Sequence, residues 1–175
     1  MIEGEKILLR ALEPDDVGLL YEWENDTAEW DSGETFTPVS RHDMKTFINH
    51  ADLDIYHTRQ MRLMIVRKSD NQTVGYIDMF DFDPFNMHAS VGILINHKFR
   101  LQGFAKDTLR VFCKYAFNFL SVNALLATTA TTNTASKALF SGCGFRHVGV
   151  FRGWIRRNNV FGDVELFQIS KADFQ

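Results

Sequence analysis

The first half of the chain contains short apolar runs bounded by polar and turn-forming residues, which is typical of β-strands. In one run, Val91, Ile93 and Ile95 alternate with other residues, so all three fall on one side of an extended segment. Turn-forming residues separate the runs at 69–72, and a loop is expected at 81–87. The predicted strands are residues 6–10, 61–67, 73–80 and 89–95. The short connections between the last three predict an antiparallel meander.

The spacing changes to that of an α-helix in the second half of the chain. Residues 103–120 place apolar side chains three or four positions apart. The side chains expected to face the core are Phe104, Thr108, Phe112, Tyr115 or Ala116, and Phe119. The elements predicted to follow are a strand at 123–129, a helix at 133–141, and two β runs at 146–156 and 160–170 with a turn at Asn158 and Asn159.

Two shorter helices are predicted near the start of the chain. Pro14, followed by Asp15 and Asp16, indicates a helix start, because Pro fits the first turn and acidic groups favour the positive end of the helix dipole. Ser40 is expected to cap a second helix that runs to His50. The inward side chains of that helix are expected to be Met44, Phe47 and Ile48.

The order of these elements predicts an α/β fold with a mixed, mostly antiparallel central sheet flanked by helices. With 175 residues, 45% of them hydrophobic, the chain is long enough to bury a sizeable core. Only three Pro are present, and no Gly/Ser-rich stretch interrupts the sequence. We therefore expect a single domain over residues 1–175.

Charge and composition exclude several classes of protein. The formal net charge of −3 argues against a nucleic-acid partner, because phosphate binding needs a basic surface. No apolar run reaches the roughly 18 residues of a membrane helix, and the first residues lack a signal peptide's apolar core. The six His include no His-x-x-x-His pair, so no metal site is expected. Two cysteines cannot build a disulfide framework, which favours a cytoplasmic location.

The most informative stretch is residues 99–106, between a predicted strand and the longest predicted helix. A helix N-terminus presents unpaired N–H groups and partial positive charge. Gly103 and Ala105 are small enough for a phosphate to approach the main chain, and Arg100 and Lys106 add positive charge. The pattern indicates a diphosphate-binding turn. An ordinary helix start after a loop is the alternative, since a single Gly has little specificity.

Two motifs resemble those of the GNAT superfamily of N-acetyltransferases. Arg100-x-x-Gly103-x-Ala105 resembles the family's Gln/Arg-x-x-Gly-x-Gly/Ala signature, and the segment 133–145 resembles its Asn-x-x-Ser/Ala-x-x-Leu-Tyr-x-x-x-Gly-Phe helix. Leu8-Leu9-Arg10 and the segment 162–167 are similar to the branch that holds spermidine acetyltransferases and ribosomal-protein N-terminal acetyltransferases. The resemblance implies the GNAT fold and acetyl-CoA as the co-substrate, without a metal.

The resemblance also implies which residues bind acetyl-CoA. Strand residues whose main chain pairs with the pantetheine arm would be Ile93, Leu94 and Ile95. Those of the diphosphate turn would be Arg100, Leu101, Gln102, Gly103, Phe104, Ala105 and Lys106. Asn133 would hydrogen-bond the pantetheine, with Ser136 one turn further and Phe140 beyond it. Asn133 as only a helix N-cap and Ser136 as only a solvated residue are the alternatives.

Amine acetylation requires a neutral amine, although a primary amine has a pKa near 10.4. Asp78 and Asp81, at the predicted end of a central strand, fall by similarity where polyamine-acetylating relatives carry Glu. They would act as a base through water or hold a cationic substrate; two exposed strand-end carboxylates are the alternative. Phe140 departs from the family pattern, in which Tyr is the proposed proton donor to the CoA thiolate. Without the Tyr hydroxyl as proton donor, the reaction would be slower but would not be abolished.

The acidic and aromatic segment from Glu22 to Phe36 is the expected source of specificity for the acceptor. Its carboxylates and Trp rings suit a cationic amine through charge and cation–π contact, unless the segment is merely a solvated helix end and loop. The predicted substrate-binding residues are Glu29, Trp30, Asp31 and Glu34.

Three functional hypotheses follow. The first is an acetyltransferase whose acceptor is a polyamine or another small cationic amine. The second is the same chemistry on the α-amine of a protein or peptide, whose lower pKa of about 7.7–8.0 requires less help from a base. The third is a CoA-binding module with weak or no catalysis, for which Phe140 is the argument. A homodimer is a further expectation, because many relatives dimerise.

Overall fold

The computed structural model describes residues 2–27, 37–49, 54–157 and 159–174. They form one eight-stranded sheet in the order β1-β2-β3-β4-β5-β6-β8-β7. The strands are β1 (Ile2–Glu3), β2 (Ile7–Arg10), β3 (Met61–Arg67), β4 (Gln72–Asp83), β5 (His88–Ile95), β6 (Ala124–Ala130), β7 (Arg146–Arg157) and β8 (Val160–Ser170). The α-helices are α1 (Val17–Glu24), α2 (Arg41–Asn49), α3 (Ile55–Thr58), α4 (Phe104–Asn118) and α5 (Thr134–Gly142), and short 3-10 turns occupy Pro14–Asp16 and His97–Phe99.

The sheet is mixed, as the sequence predicts. Strands β2 to β5 form an antiparallel meander, and β6, β8 and β7 are antiparallel to one another. Strands β5 and β6 run parallel, and α4 makes the crossover between them. The predicted α/β class with a mixed, mostly antiparallel sheet is confirmed.

The buried stripe of α4 agrees with its predicted period except at its end. Phe104, Phe112 and Ala116 are buried, but Phe119 is 77% exposed and stacks on Tyr115. The prediction that Phe119 faces the core is wrong because the helix ends at Asn118, so the helical period no longer sets its direction. Phe117 is fully buried in its place.

Each face of the sheet carries its own hydrophobic core. On one face, Ile77 and Met79 pack in the large core that includes α4. On the other, Tyr76 packs with Trp23 of α1 and Met44 of α2. Successive residues of β4 therefore alternate between the two faces.

Strand β4 is longer than predicted. The loop expected at 81–87 is a strand as far as Asp83, with an irregularity between Phe80 and Asp83 where Asp81 adopts a φ of 50°. Asp83 pairs with His88 and closes the hairpin, because its carboxylate accepts the N–H groups of Phe85 and Asn86. These hydrogen bonds, led by that of Asn86, lower the pKa of Asp83 to about 2.

The start of α2 follows the predicted capping pattern. The Ser40 hydroxyl accepts the N–H of Asp43 at 3.0 Å, and the Asp43 carboxylate accepts the N–H of Ser40 at 3.1 Å. Residue 50, the predicted end, lies outside the described residues, as does Asn158 of the predicted turn before β8. Among the helices that the structure describes, none has the length and apolar character needed to span a membrane.

Gly75 allows β4 and β5 to approach closely. A Cβ atom at this position would collide with the main-chain oxygen of Leu94, on the adjacent strand. We predict that Gly75→Ala destabilises the protein by about 1–3 kcal/mol, the usual cost of overpacking, and lowers Tm by several degrees in a thermal melt. Gly18→Ala is the matched control, since nothing lies within 4 Å of its added Cβ and Ala favours a helix. Equal melting temperatures for the two variants would contradict this account.

Candidate active site

The central feature of the site is a wedge between the two parallel strands. In the described part of the chain, β5 and β6 pair through His88–Ser90 and Ala124–Leu126 and then diverge. Residues 91–95 of β5 are therefore paired with β4 on one side and face a cleft of about 2200 Å³ on the other. Main-chain N–H and C=O groups at a strand edge need partners, so this edge can accept an extended ligand as a strand would.

Two helices begin at the open end of the wedge. Helix α4 starts after the carboxyl end of β5, and α5 starts after the carboxyl end of β6. Crevices at the carboxyl ends of parallel strands are where α/β sheets bind ligands, and helix N-termini favour anions. The sequence places both features together because each helix follows its strand after a short turn.

The turn before α4 has the geometry of an anion cradle. Leu101 has a φ of 62° and Gly103 a φ of 85°, so two residues of the turn are left-handed. Arg100 donates from Nε to the carbonyl of Ile95 at 3.0 Å, which ties the turn to the end of β5. The predicted cofactor residues of this region that line the cleft are Ile93, Leu94, Ile95, Arg100, Leu101, Gly103, Phe104, Ala105 and Lys106. Gln102 is not among them, and its main-chain carbonyl accepts a hydrogen bond from the Lys6 ammonium.

The start of α5 lies on the opposite wall of the wedge. Asn133 accepts the N–H of Ser136 at 3.0 Å, so its side-chain oxygen caps the helix. Both residues also line the cleft. The N-cap role of Asn133 is thus established, and a role in ligand binding remains a prediction.

Phe140 lies deeper along the same helix. Its ring packs edge-on against that of Phe145, with the ring centres 5.2 Å apart, and stacks on that of Phe167, with the ring centres 6.3 Å apart. Phe140 also lines the cleft. The side chain is 4% exposed, so this wall of the cleft is apolar.

The other face of the sheet contributes a polar cluster to the same cleft. Arg62 of β3 lies directly opposite Asp78 of β4 and binds both of its carboxylate oxygens at 2.7 Å. Arg62 also donates to Glu24 of α1 at 3.1 Å, and the Tyr76 hydroxyl donates to the same Glu24 oxygen at 3.2 Å. The guanidinium carbon lies 3.9 Å from the centre of the Tyr76 ring.

Burial governs the protonation of this cluster. It raises the pKa of Asp78 above its usual value, against the opposing charge of Arg62. It also acts to lower the pKa of Arg62, but Asp78, Tyr76 and Glu24 outweigh it and the pKa of Arg62 is raised. Burial raises the pKa of Tyr76 as well, so the phenol is a hydrogen-bond donor near neutral pH. Arg62 thus stays charged and fixes the orientation of Asp78.

Comparison with known protein families shows which family the chain belongs to. Residues 6–146 match the acetyltransferase (GNAT) domain. The chain belongs to the GNAT acetyltransferase family. It is therefore an acetyl-CoA-dependent N-acetyltransferase.

Relatives of this GNAT acetyltransferase cover nearly its whole length. The SPbeta prophage-derived N-acetyltransferase YokL of Bacillus subtilis is 24% identical over 98% of this chain and 94% of its own. The spermidine N-acetyltransferase from Vibrio cholerae, solved with CoA and spermine, has a TM-score of 0.86 at 19% identity and covers 96% of this chain and 97% of that one. The ribosomal-protein α-N-acetyltransferase RimL, solved with CoA, has a TM-score of 0.85 at 17% identity and covers 97% and 96%. At these identities the two structures confirm the fold alone.

The residues of this GNAT acetyltransferase fit a CoA thioester. The unpaired edge of β5 suits the two amides of a pantetheine arm, and the left-handed turn at Gly103 opens the main chain to a diphosphate. Among the described residues, no three His, Cys, Asp or Glu side chains are arranged to hold a metal ion.

The predicted catalytic residues occupy different environments. Asp78 lies in the interior of β4, five residues before its end, and not at the strand end as predicted, because the strand continues through the irregularity at Asp81. Asp81 is exposed, and both residues line the cleft. Whether either one acts in catalysis remains a prediction.

The predicted substrate residues Glu29, Trp30, Asp31 and Glu34 lie outside the described residues. Within the part of the acidic segment that is described, Trp23 is a core residue and Glu24 reaches the cleft. Arg62, Tyr76 and Lys6 were missed by the sequence analysis. Arg62 could have been noticed in the sequence, because it is a charged residue inside an otherwise apolar run of a predicted strand.

We predict that Phe140→Tyr accelerates this acetyltransferase. A hydroxyl at this wall would supply the proton donor that the family pattern places here, and general-acid help is worth roughly 10²–10⁴-fold. We expect kcat to rise about tenfold or more in a thiol-release assay. Phe145→Tyr is the control, because that ring packs against Phe140 but does not line the cleft. A folded Phe140→Tyr enzyme with unchanged kcat would show that thiolate departure does not limit the rate.

Proposed function

We propose that this protein moves the acetyl group of acetyl-CoA onto a primary amine of a polyamine or another small cationic amine. The observation that carries the proposal is the charge on the acceptor side of the cleft. Two largely buried carboxylates, Glu24 and Asp78, line the cleft beside Arg62. Carboxylates on this side of the cleft favour a cationic ligand, and the low solvent access strengthens the effect.

The donor side supports acetyl-CoA as the co-substrate. In this proposal, the diphosphate is bound by the main chain of residues 100–106 together with the charges of Arg100 and Lys106. The pantetheine arm extends along residues 93–95 and between Asn133 and Ser136, and the thioester lies next to Phe140. This path leads through the wedge from the start of α4 to the face that carries Asp78.

The reaction then needs only positioning and proton transfer. The amine nitrogen attacks the thioester carbonyl, the C–N bond forms, and the C–S bond breaks to release the CoA thiolate. The proton lost from the amine passes to water or to a carboxylate. Asp81, which is exposed, and Asp78 through water are the proposed acceptors. Because a thiol has a pKa near 8.5, the CoA thiolate can leave without a strong acid, which is consistent with Phe in place of Tyr at position 140.

A protein or peptide α-amine is the second candidate acceptor. The observation that favours it is the engagement of both Asp78 oxygens by Arg62, which leaves this carboxylate poorly placed to accept a proton. An α-amine has a pKa of about 7.7–8.0 and is substantially neutral at physiological pH without a base.

We also propose that residues 1–175 act as one domain, in the cytoplasm, as a homodimer. The thiols of Cys113 and Cys143 are free, which suits a reducing compartment. Exposed apolar side chains on β7 and β8, among them Phe151, Trp154 and Phe161, support an interface with a second copy.

The test is thiol release from acetyl-CoA with spermidine, with an Ala- or Ser-starting peptide, and without acceptor. We expect turnover with spermidine well above the background without acceptor. Its kcat/KM should rise with pH to near 10, since the neutral amine reacts, whereas a peptide acceptor would reach a plateau near pH 8. Turnover of the peptide alone would favour the second candidate, and CoA binding without turnover on any amine would favour a module without catalysis.

Glu24→Gln tests the acceptor site within the same assay. We expect kcat/KM for spermidine to fall roughly tenfold because a buried negative charge is lost, while the Kd for CoA remains unchanged. Glu22→Gln is the matched control, because it removes an exposed charge from the same helix. Equal effects of the two substitutions would contradict the proposed role of the cleft charge.

A further inference from the structure

A lysine outside the cleft contacts the turn that begins α4. Lys6, next to β2, donates from Nζ to the main-chain carbonyl of Gln102 at 3.0 Å. A Cβ atom built on Gly103 would lie 3.3 Å from the same ammonium. Lys6 therefore covers the outer side of the turn, whereas Gly103 also borders the cleft.

The segment that carries Lys6 is fixed to α4. The carboxylate of Asp107, in the first turn of the helix, accepts the N–H groups of Glu5, Lys6 and Ile7 at 3.1, 2.7 and 3.2 Å. Three hydrogen bonds to one carboxylate hold the main chain of Lys6 against the start of the helix. The ammonium is thus attached to the same helix whose N-terminus forms the turn.

Holding one carbonyl determines the direction of the next amide. In a trans peptide the C=O of one residue and the N–H of the next point in opposite directions, and the described chain contains no cis peptide. When Lys6 binds the Gln102 oxygen on the outer side, the Gly103 N–H is directed away from Lys6. If this peptide group turned over, which Gly103 permits, a carbonyl oxygen would face the bound phosphates and repel them.

We propose that Lys6 is a positioning residue of the diphosphate site, whose ammonium fixes the Gln102–Gly103 peptide with its N–H available to the phosphates. The inference rests on the proposed binding of CoA at this turn. It assigns Lys6 an action through the main chain and not through contact with the ligand.

The test compares ligands that contain or lack the diphosphate. For Lys6→Ala we expect the Kd of CoA and of dephospho-CoA, measured by calorimetry, to rise by the same factor, roughly three- to tenfold, which is the usual net contribution of one hydrogen bond. The affinity for pantetheine, measured by NMR titration, should not change, because it lacks the diphosphate. Lys6→Arg, which retains a charged donor, should restore most of the affinity.

Lys68→Ala is the matched control. Its ammonium also donates to a main-chain carbonyl, that of Gly4, and pairs with Glu3, and neither partner belongs to the turn. We expect wild-type CoA affinity and a similar Tm for Lys68→Ala and Lys6→Ala.

The possible failures are distinguishable. Wild-type protein that does not bind CoA would overturn the proposed function and this inference together. Normal CoA binding by Lys6→Ala would overturn the inference alone. A loss confined to CoA and absent for dephospho-CoA would mean direct contact with the 3′-phosphate, and an equal loss for pantetheine would mean a general structural effect; either would overturn the positioning role.

Discussion

The separation of β5 from β6 after three paired residues is the constraint on which the rest of the structure depends. A paired strand edge would be closed, but here residues 91–95 border a cleft with their main-chain groups. The crossover helix α4 and the following α5 both begin at the open end, so two helix N-termini meet there. The proposed binding site thus consists chiefly of main-chain groups, with side chains adding to it.

The wedge also connects the two faces of the sheet. The α4 face provides the turn at Gly103 and the apolar wall at Phe140, whereas the α1 and α2 face provides the cluster of Arg62, Asp78 and Glu24. In the proposed function, donor and acceptor lie on opposite faces, which would let the two substrates approach the same point without competing for contacts. It also explains why buried charges are tolerated beside a hydrophobic core, since each of them is paired.

Much of this arrangement could be predicted from the sequence, because it depends on local patterns. A continuous apolar and β-branched run located β3 to the residue, and the Arg100-x-x-Gly103-x-Ala105 motif located the turn before α4. Contacts between distant segments could not be predicted. Arg62 meets Asp78 through strand register, and Lys6 reaches Gln102 through a separation of 96 residues. Phe119 and the irregularity at Asp81 were misassigned because periodicity carries no information where an element ends or bends.

The central claim is that main-chain amides at the wedge bind the CoA thioester. Amide hydrogen–deuterium exchange, followed by mass spectrometry with and without CoA, measures those amides directly. The account predicts slower exchange on CoA binding in peptides covering residues 93–95 and 101–106, and little change in β7 and β8. Binding of CoA without protection at 101–106, or protection confined to other segments, would contradict it.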